Sequence, residues 1–146
     1  MKLALILATI TVVSAHSQSL DFQATCAAQS RKAFQEYEYE FTNGPGGKHF
    51  RTISSNYQSH YNTKLKKCMA LIESTRMLAN QSSTSLILTD AFERRDYAYY
   101  LWVSREGKKY WEVPPSQCEL IPSLREKKNC TTREEFDAFV AGYMEE

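Results

Sequence analysis

The chain has 146 residues, of which 18 are Lys or Arg and 17 are Asp or Glu, so its net charge is +1. This length suits one domain with a buried core. The near-neutral charge argues against a general nucleic-acid-binding protein, which requires an excess of basic residues, and no nucleic-acid partner is expected.

Residues 1–15 have the pattern of a secretory signal peptide. An uncharged apolar run follows Lys2, and small residues come next. This order is typical of export signals, whereas a membrane span needs about 20 apolar residues. We expect cleavage after Ala15, with a cut after Ser17 as the alternative, and a single mature domain over residues 16–146. No second long apolar stretch follows, so the mature chain is expected to lack a transmembrane segment.

Four cysteines in an exported chain predict two disulfides, for which three connectivities are possible. No C-x-x-C pair is present, which argues against a redox motif or a zinc ribbon. We favour Cys26–Cys68, which would tie the first helix to the sheet, and Cys118–Cys130, which would pin an irregular loop before the last helix. The predicted location is therefore secreted or periplasmic.

The first predicted element is a helix over residues 22–41. Apolar side chains recur there at steps of three and four, which is helical spacing. They are Phe22, Cys26, Ala33, Phe34, Tyr37 and Phe41. The glycine-rich segment at residues 42–47 then predicts a connector. A phosphate-binding loop is disfavoured, since no apolar strand precedes it and no G-K-[ST] ending follows.

Strand periodicity begins after this loop. Alternation over residues 53–61 places Tyr57 and Tyr61 on one face of a strand and His60 on the other. A second strand is predicted over residues 66–72 and a third from Leu86, with a polar loop at residues 80–85 between them.

Two further strands are predicted, at residues 97–103 and 110–113. Glu106-Gly107 between them indicates a hairpin across which Trp102 and Trp111 would approach. Pro114-Pro115 is expected to end the sheet, because proline cannot donate to a ladder.

The last predicted element is a helix that begins with a capping box, Thr132 to Glu135. Phe136, Phe139, Val140 and Tyr143 then share one face of it. The sequence thus predicts an α+β fold: an N-terminal helix, an antiparallel meander of about four to five strands, and a C-terminal helix packed on one sheet face. Since each helix has one apolar stripe, both are expected to cover the same face.

His60 is the candidate catalytic residue, because histidine is the usual acid or base near neutral pH. The competing interpretation is a histidine hydrogen-bonded at the sheet edge. A nucleophilic Cys68 would need a free thiolate, and export favours a disulfide instead. Ser59 is adjacent to His60, so strand geometry points the two side chains to opposite faces.

Asp90 and Glu93 with Asp96 could form a glycosidase-like carboxylate pair, and His60 with Asp90 or Glu93 could form a metal site. Matching arginines stand beside them in the sequence, which favours a salt-linked surface turn. Neither a metal nor a cofactor is predicted. The basic run that contains Lys67 is interpreted as a solvated strand edge.

Aromatic residues of the predicted sheet suggest a binding surface for a glycan or an envelope protein. Its candidate members are Tyr57, His60, Tyr61, Tyr99, Trp102 and Trp111.

The segment from Tyr57 to Cys68 carries the motif Y-x-S-H-Y-N…L-x-K-C. With the Cys26-Ala27-Ala28-Gln29 stretch and the Asp90-Ala91-Phe92-Glu93 stretch, it resembles a group of small exported bacterial proteins for which no activity is known. The group has Phe after the motif cysteine, where this chain has Met69. The resemblance implies an envelope location. The leading hypothesis is a non-enzymatic binding or interaction module, and the alternative is a small hydrolase using His60 with a nearby carboxylate.

Overall fold

A computed structural model of the chain describes residues 13–43 and 50–145. Its elements are α1 (Val13–Asn43), β1 (Arg51–Asn62), β2 (Lys67–Leu78), β3 (Gln81–Asp90), β4 (Arg95–Val103), a short 3-10 helix (Tyr110–Glu112), β5 (Gln117–Ser123), β6 (Glu126–Asn129) and α2 (Arg133–Met144). The predicted signal peptide before residue 13 and the glycine-rich segment from residue 44 lie outside the described residues. Within those residues, no helix is long and apolar enough to cross a membrane.

The strands form one antiparallel sheet in the order β1-β2-β3-β4-β5-β6, so the predicted α+β meander with a helix at each end is confirmed. The sheet has more strands than the four to five predicted. Pro114-Pro115 does not end it, because the chain returns after the prolines and pairs β5 with β4. The second strand is also longer than predicted and reaches Leu78.

The predicted fifth strand at residues 110–113 was wrong, and so was the hairpin at Glu106-Gly107. The segment forms the 3-10 helix instead, since local bonds satisfy its backbone. The Glu112 carboxylate accepts from the Lys109 amide at 2.8 Å, and the Glu112 amide donates to the Lys109 carbonyl at 3.0 Å.

The polar stretch at residues 80–85 was wrongly predicted as a loop. Only Ala79 and Asn80 form the turn, and β3 begins at Gln81. The hydroxyl groups are accommodated by pairing across strands, as in the 3.2 Å bond between Thr75 and Thr84. Serine and threonine thus form strand here because their neighbours supply partners.

The two helices cover opposite faces of the sheet, which corrects the expectation of one shared face. Side chains alternate along β2, so Cys68 and Ala70 join a buried cluster with α1, whereas Met69 joins a cluster with α2. We call these the α1 face and the α2 face. Both sides of β2 are buried, and each helix has its own packing surface.

The α2 face holds the larger apolar core. Phe136 and Val140 of α2 pack against strand residues that include Leu86, Leu88 and Tyr100. The hydroxyl half of the predicted capping box is present, because the Thr132 hydroxyl accepts from the Glu135 amide at 3.2 Å and so satisfies an amide that the first turn of a helix leaves free. The Glu135 carboxylate accepts instead from the amide of Thr131, one residue before the cap, at 2.7 Å.

The structure contains two disulfides, Cys26–Cys68 and Cys118–Cys130, and no described cysteine is free. This is the connectivity that we favoured. The first ties α1 to the start of β2. The second closes the β5–β6 hairpin directly before α2, where an irregular loop had been predicted.

Candidate functional site

His60 lies on the α2 face of β1, opposite Met69. Its Nε2 atom is buried and has no hydrogen-bond partner among the described residues. Cys68 is in a disulfide, and Ser59 points to the other face of the strand. The structure thus supplies His60 with neither a nucleophile nor a hydrogen-bonded carboxylate.

The three candidate carboxylates do not form one cluster. Asp90 pairs in the ladder with Met69, on the α2 face, whereas Asp96 lies with α1 residues on the other side of the sheet. Asp90 is only 2% exposed and accepts from the backbone amides of Phe92 and Glu93, at 2.9 and 3.1 Å. Asp90 thus caps this turn from a buried position, whereas Phe92, Glu93 and Arg94 are exposed. Glu93 and Arg94 form ion pairs with Lys67 and Glu36, as expected of a salt-linked surface turn. Among the described residues, no group of three or more possible ligands could hold a metal.

Lys67 is the partner of these carboxylates, in place of the neighbouring arginines. Its ammonium group lies 3.1 Å from Asp90 and 2.8 Å from Glu93. The hydrogen bond to Glu93, with that to Asp90, raises the pKa of Lys67 well above its ordinary value, against the opposing effect of burial. Lys67 is thus part of the folded framework, which corrects its interpretation as a solvated edge.

The six residues of the predicted binding surface are divided among three places. Tyr57, Tyr61 and Tyr99 lie on the α1 face, and the first two stack on α1 through Phe34 and Phe22. His60 and Trp102 belong to the α2 face. Trp111 lies in the 3-10 helix. No single surface therefore contains them all.

Trp111 belongs instead to a cleft of about 320 Å³ at the N-terminal end of α2. We call it the aromatic cleft. It is lined by residues of β4, the 3-10 helix, the two prolines and the first turn of α2, which include Tyr100, Tyr110, Trp111, Glu112, Pro114, Pro115, Arg133 and Glu134.

The walls of the aromatic cleft are held by side-chain contacts. The indole of Trp102 packs on Tyr110 with ring centroids 4.8 Å apart, and its Nε1 atom donates to the Val113 carbonyl at 3.2 Å. The hydroxyls of Tyr100 and Tyr110 are 3.4 Å apart. Trp102 therefore fixes the 3-10 helix to the sheet from below, which leaves Trp111 to face solvent.

Trp111 is 76% exposed, and Tyr110 is 45% exposed. The ammonium of Lys109 lies 5.2 Å from the Trp111 ring centroid, and the Arg133 guanidinium lies 5.6 Å from that of Tyr100. Burial raises the pKa of Tyr100, with a further rise from its contact to Tyr110, so its hydroxyl stays neutral at physiological pH. The cleft combines flat aromatic surface with charged groups at its rim.

Sequence reasoning named Trp111 as a binding residue but missed Tyr110, Arg133 and the proline wall. The available signal for this wall was the run Tyr110-Trp111-Glu112-Val113-Pro114-Pro115, which joins two aromatic rings to two prolines. Its first part resembles a strand and was predicted as one. No pattern in the sequence places Arg133 beside Tyr100.

No known family model matches this chain, and comparisons with curated proteins and with solved structures found no match.

Proposed function

We propose that this is an exported, non-enzymatic binding protein that holds a glycan chain in the aromatic cleft. The observation that carries the proposal is Trp111, an indole exposed over three quarters of its area beside a second exposed ring, Tyr110. The C–H face of a sugar ring gains dispersion contacts from such a flat surface. Exposed apolar surface with polar residues at its edge is a mark of ligand-binding grooves.

The cleft is organised before any ligand binds. Its floor is fixed by the Trp102 bond to Val113, and the Cys118–Cys130 disulfide lies immediately before the α2 turn that forms one wall. Thr132, which caps α2, is itself a wall residue. A preformed site spends little of its binding free energy on ordering side chains.

The charged rim of the cleft suits a glycan. Lys109 lies over the Trp111 ring, and Glu112 and Glu134 line the same cleft. Carboxylates and an ammonium group are suitable partners for the hydroxyls of a sugar. The cleft thus offers stacking at its centre and hydrogen-bonding groups at its edge.

Export is supported by two independent features. Residues 1–15 have the composition of a signal peptide, and all four cysteines are paired in disulfides, which persist in oxidising compartments. An envelope or extracellular location would bring the cleft into contact with cell-wall or surface polysaccharides. The hydrolase alternative has less support, because His60 has no hydrogen-bonded carboxylate.

The test is co-sedimentation of the purified protein with insoluble glycans: peptidoglycan sacculi, chitin and cellulose. We expect binding to at least one of them, and we expect Trp111→Ala to weaken it by about tenfold, since an aromatic contact contributes roughly 1 kcal/mol or more. Tyr39→Ala is the matched control, because Tyr39 is an aromatic side chain that is 70% exposed on α1, outside the aromatic cleft.

Binding that is unchanged in Trp111→Ala, or no retention by any of the three glycans, would contradict the proposal. The variant is expected to keep its fold, since Trp111 is exposed. Its thermal unfolding midpoint provides the check.

A further inference from the structure

A second cleft, of about 470 Å³, lies at the C-terminal end of α2. We call it the cationic cleft. The turns β1–β2 and β5–β6, the starts of β2 and β4, and the last turn of α2 meet there. It is lined by Leu65, Lys67, Arg95, Tyr97, Pro122, Ser123, Leu124, Arg125 and Tyr143.

Three cations line this cleft, but only one of them has acidic partners. Lys67 is paired with Asp90 and Glu93. Arg95 and Arg125 take part in none of the ion pairs formed by the described residues. Within the part of the chain that the structure describes, the two guanidinium groups therefore leave the cleft with an excess of positive charge.

Arg95 is held in place while part of its hydrogen-bonding capacity is unused. Its guanidinium stacks on the ring of Tyr97, 4.6 Å from the centroid. Its Nη2 atom is buried and has no acceptor among the described residues. Buried donors are satisfied in most native proteins, and a charged donor without an acceptor is costly. Nη2 is closed to solvent, so a ligand in the cleft would contact the rest of the Arg95 side chain, which lines it.

The remaining walls are apolar. Tyr97 and Tyr143 lie with ring centroids 5.2 Å apart, and Leu124 and Leu65 are 84% and 46% exposed. Exposed leucines on two turns that border one cleft form a surface suited to an apolar group. The cleft therefore joins a cationic pair to an apolar wall.

We propose that the cationic cleft binds a carboxylate that is attached to an apolar group. Arg95 would bind the carboxylate through its planar N–H groups, Arg125 would add charge from the β5–β6 turn, and the apolar group would lie against Tyr143 and Leu124.

A single negative charge suits the site better than a phosphate does. Asp90 and Glu93 already neutralise Lys67, and their carboxylates would repel a second charge on the ligand. The apolar walls disfavour a small, fully hydrated anion, because the anion would lose its hydration against them. The same walls favour an apolar group. Two sources share this chemistry: a free aryl or alkyl carboxylic acid, and the C-terminus of a peptide that ends in an apolar residue.

The test is titration of the ¹⁵N-labelled protein with 3-phenylpropanoate, followed by amide chemical shifts. We expect saturable shifts at Tyr97, Tyr143 and the β5–β6 turn, and none at Trp111. The uncharged analogue 3-phenylpropan-1-ol and the apolar-free anion acetate are expected to bind about tenfold more weakly, because each lacks one of the two required parts.

Variants of the two arginines give the second part of the test. We expect Arg95→Gln to weaken binding of 3-phenylpropanoate by about tenfold, and Arg125→Gln by roughly threefold, since Arg125 is exposed and its charge is screened. Arg125→Gln should fold normally, so the proposal stays testable if Arg95→Gln does not. Arg105→Gln removes the same charge from an exposed loop outside the cleft and should leave affinity unchanged.

Three outcomes would overturn the proposal: equal binding of the acid and the alcohol, affinity that neither arginine variant changes, or no saturable binding by any probe. The last would leave Arg95 with its packing on Tyr97 as its role. Peptides that end in phenylalanine, with a free or an amidated C-terminus, distinguish the sources. Tighter binding of the free-acid peptide than of 3-phenylpropanoate indicates a peptide ligand, and the reverse indicates a small acid.

Discussion

The two helices are attached to the same sheet by different physical means. α2 buries Phe136 completely, and this ring packs on Tyr100 with centroids 5.5 Å apart. From Leu20 onward, where side-chain burial is described, α1 buries only small side chains, namely Cys26, Ser30 and Ala33, and it is joined to β2 by a disulfide. The α2 face depends on apolar burial, whereas the α1 face depends on a covalent bond and polar contacts.

The polar contacts of the α1 face centre on Arg76, which is 2% exposed. Its guanidinium lies 2.7 Å from the Glu38 carboxylate and 3.5 Å from the ring centroid of Phe41. The same Glu38 oxygen accepts from Ser55 and Ser74, each at 2.9 Å. A buried charge is tolerated here because acceptors and an aromatic ring surround it. The position of a helix with small contact residues can thus be fixed by a network of polar contacts in place of a large apolar core.

The largest expected effect is on the free energy of unfolding, when one phenylalanine of each helix is replaced by alanine. Phe136→Ala should lower the free energy of unfolding by about 4 kcal/mol, because it leaves a cavity in the α2 face. Phe34→Ala should cost about 1 to 2 kcal/mol, because Phe34 is only half-buried where it stacks on Tyr57. Urea denaturation measures both. Equal losses would mean that the two faces are packed alike.

The second comparison is between the contributions of the two disulfides to stability. Replacing Cys26 and Cys68 by Ala should cost about 3 to 4 kcal/mol, and replacing Cys118 and Cys130 about 1 kcal/mol less, since the closed loops span 42 and 12 residues. Amide hydrogen exchange gives the sharper result. We expect faster exchange throughout α1 in the first variant while α2 stays protected, because α1 has little apolar burial to hold it. Loss of protection in both helices would show that the faces are not independent.

The difference between the faces also explains what could be predicted from the sequence. The strand around Tyr57, the stripe of α2 and its cap follow from local periodicity and turn chemistry, and the structure confirms them. The position of α1 does not follow from local periodicity. An apolar stripe predicts that one side of a helix is buried, but it does not indicate which face of the sheet the helix covers. The signal that was available is the uninterrupted run from Cys68 to Ile72, since a strand that is apolar at every position is buried on both faces.

The functional sites were less accessible to prediction. Trp111 is an identifiable candidate, but the 3-10 helix that exposes it depends on the Trp102 bond to Val113, a tertiary contact. The cationic cleft brings Arg95 and Arg125 together from separate turns of the meander. Such a pair depends on strand register, which was not predicted for β5 and β6.

The third prediction breaks the polar network of the α1 face. Glu38→Ala should lower the free energy of unfolding by about 2 kcal/mol, because it leaves the buried Arg76 without a carboxylate. The loss is not larger, because Glu38 is itself partly exposed. The double variant Glu38→Leu with Arg76→Met should be near wild type in stability, since it removes both charges together. A double variant less stable than Glu38→Ala would indicate that Arg76 stabilises the face mainly through Phe41 and Tyr37.

The smallest expected effect is a difference in pH dependence between two adjacent tyrosines. Tyr99 lies on the α1 face and Tyr100 on the α2 face. Burial is the main cause that raises the pKa of both, and a neighbouring tyrosine adds to the rise, Tyr37 at Tyr99 and Tyr110 at Tyr100. A nearby arginine opposes the rise in each case, and the rise is larger at Tyr100, which is also hydrogen-bonded to Tyr110. A raised pKa in the folded state means that the folded protein retains its proton more tightly than the unfolded chain. The resulting stability is complete below the ordinary tyrosine pKa of about 10 and is lost as the pH rises toward the folded value.

Replacing either tyrosine by Phe keeps the ring and removes the titrating hydroxyl. We therefore expect Tyr100→Phe to flatten the alkaline decline in unfolding free energy, and Tyr99→Phe to flatten it less. Urea midpoints measured from neutral pH to above pH ~10 for the wild type and both variants provide the test. The contrast depends on a hydrogen bond, because the Tyr100 hydroxyl lies 3.4 Å from that of Tyr110, whereas Tyr37 acts on Tyr99 through its charge alone. An equal change in both variants would mean that the contact with Tyr110 adds nothing to the pKa of Tyr100.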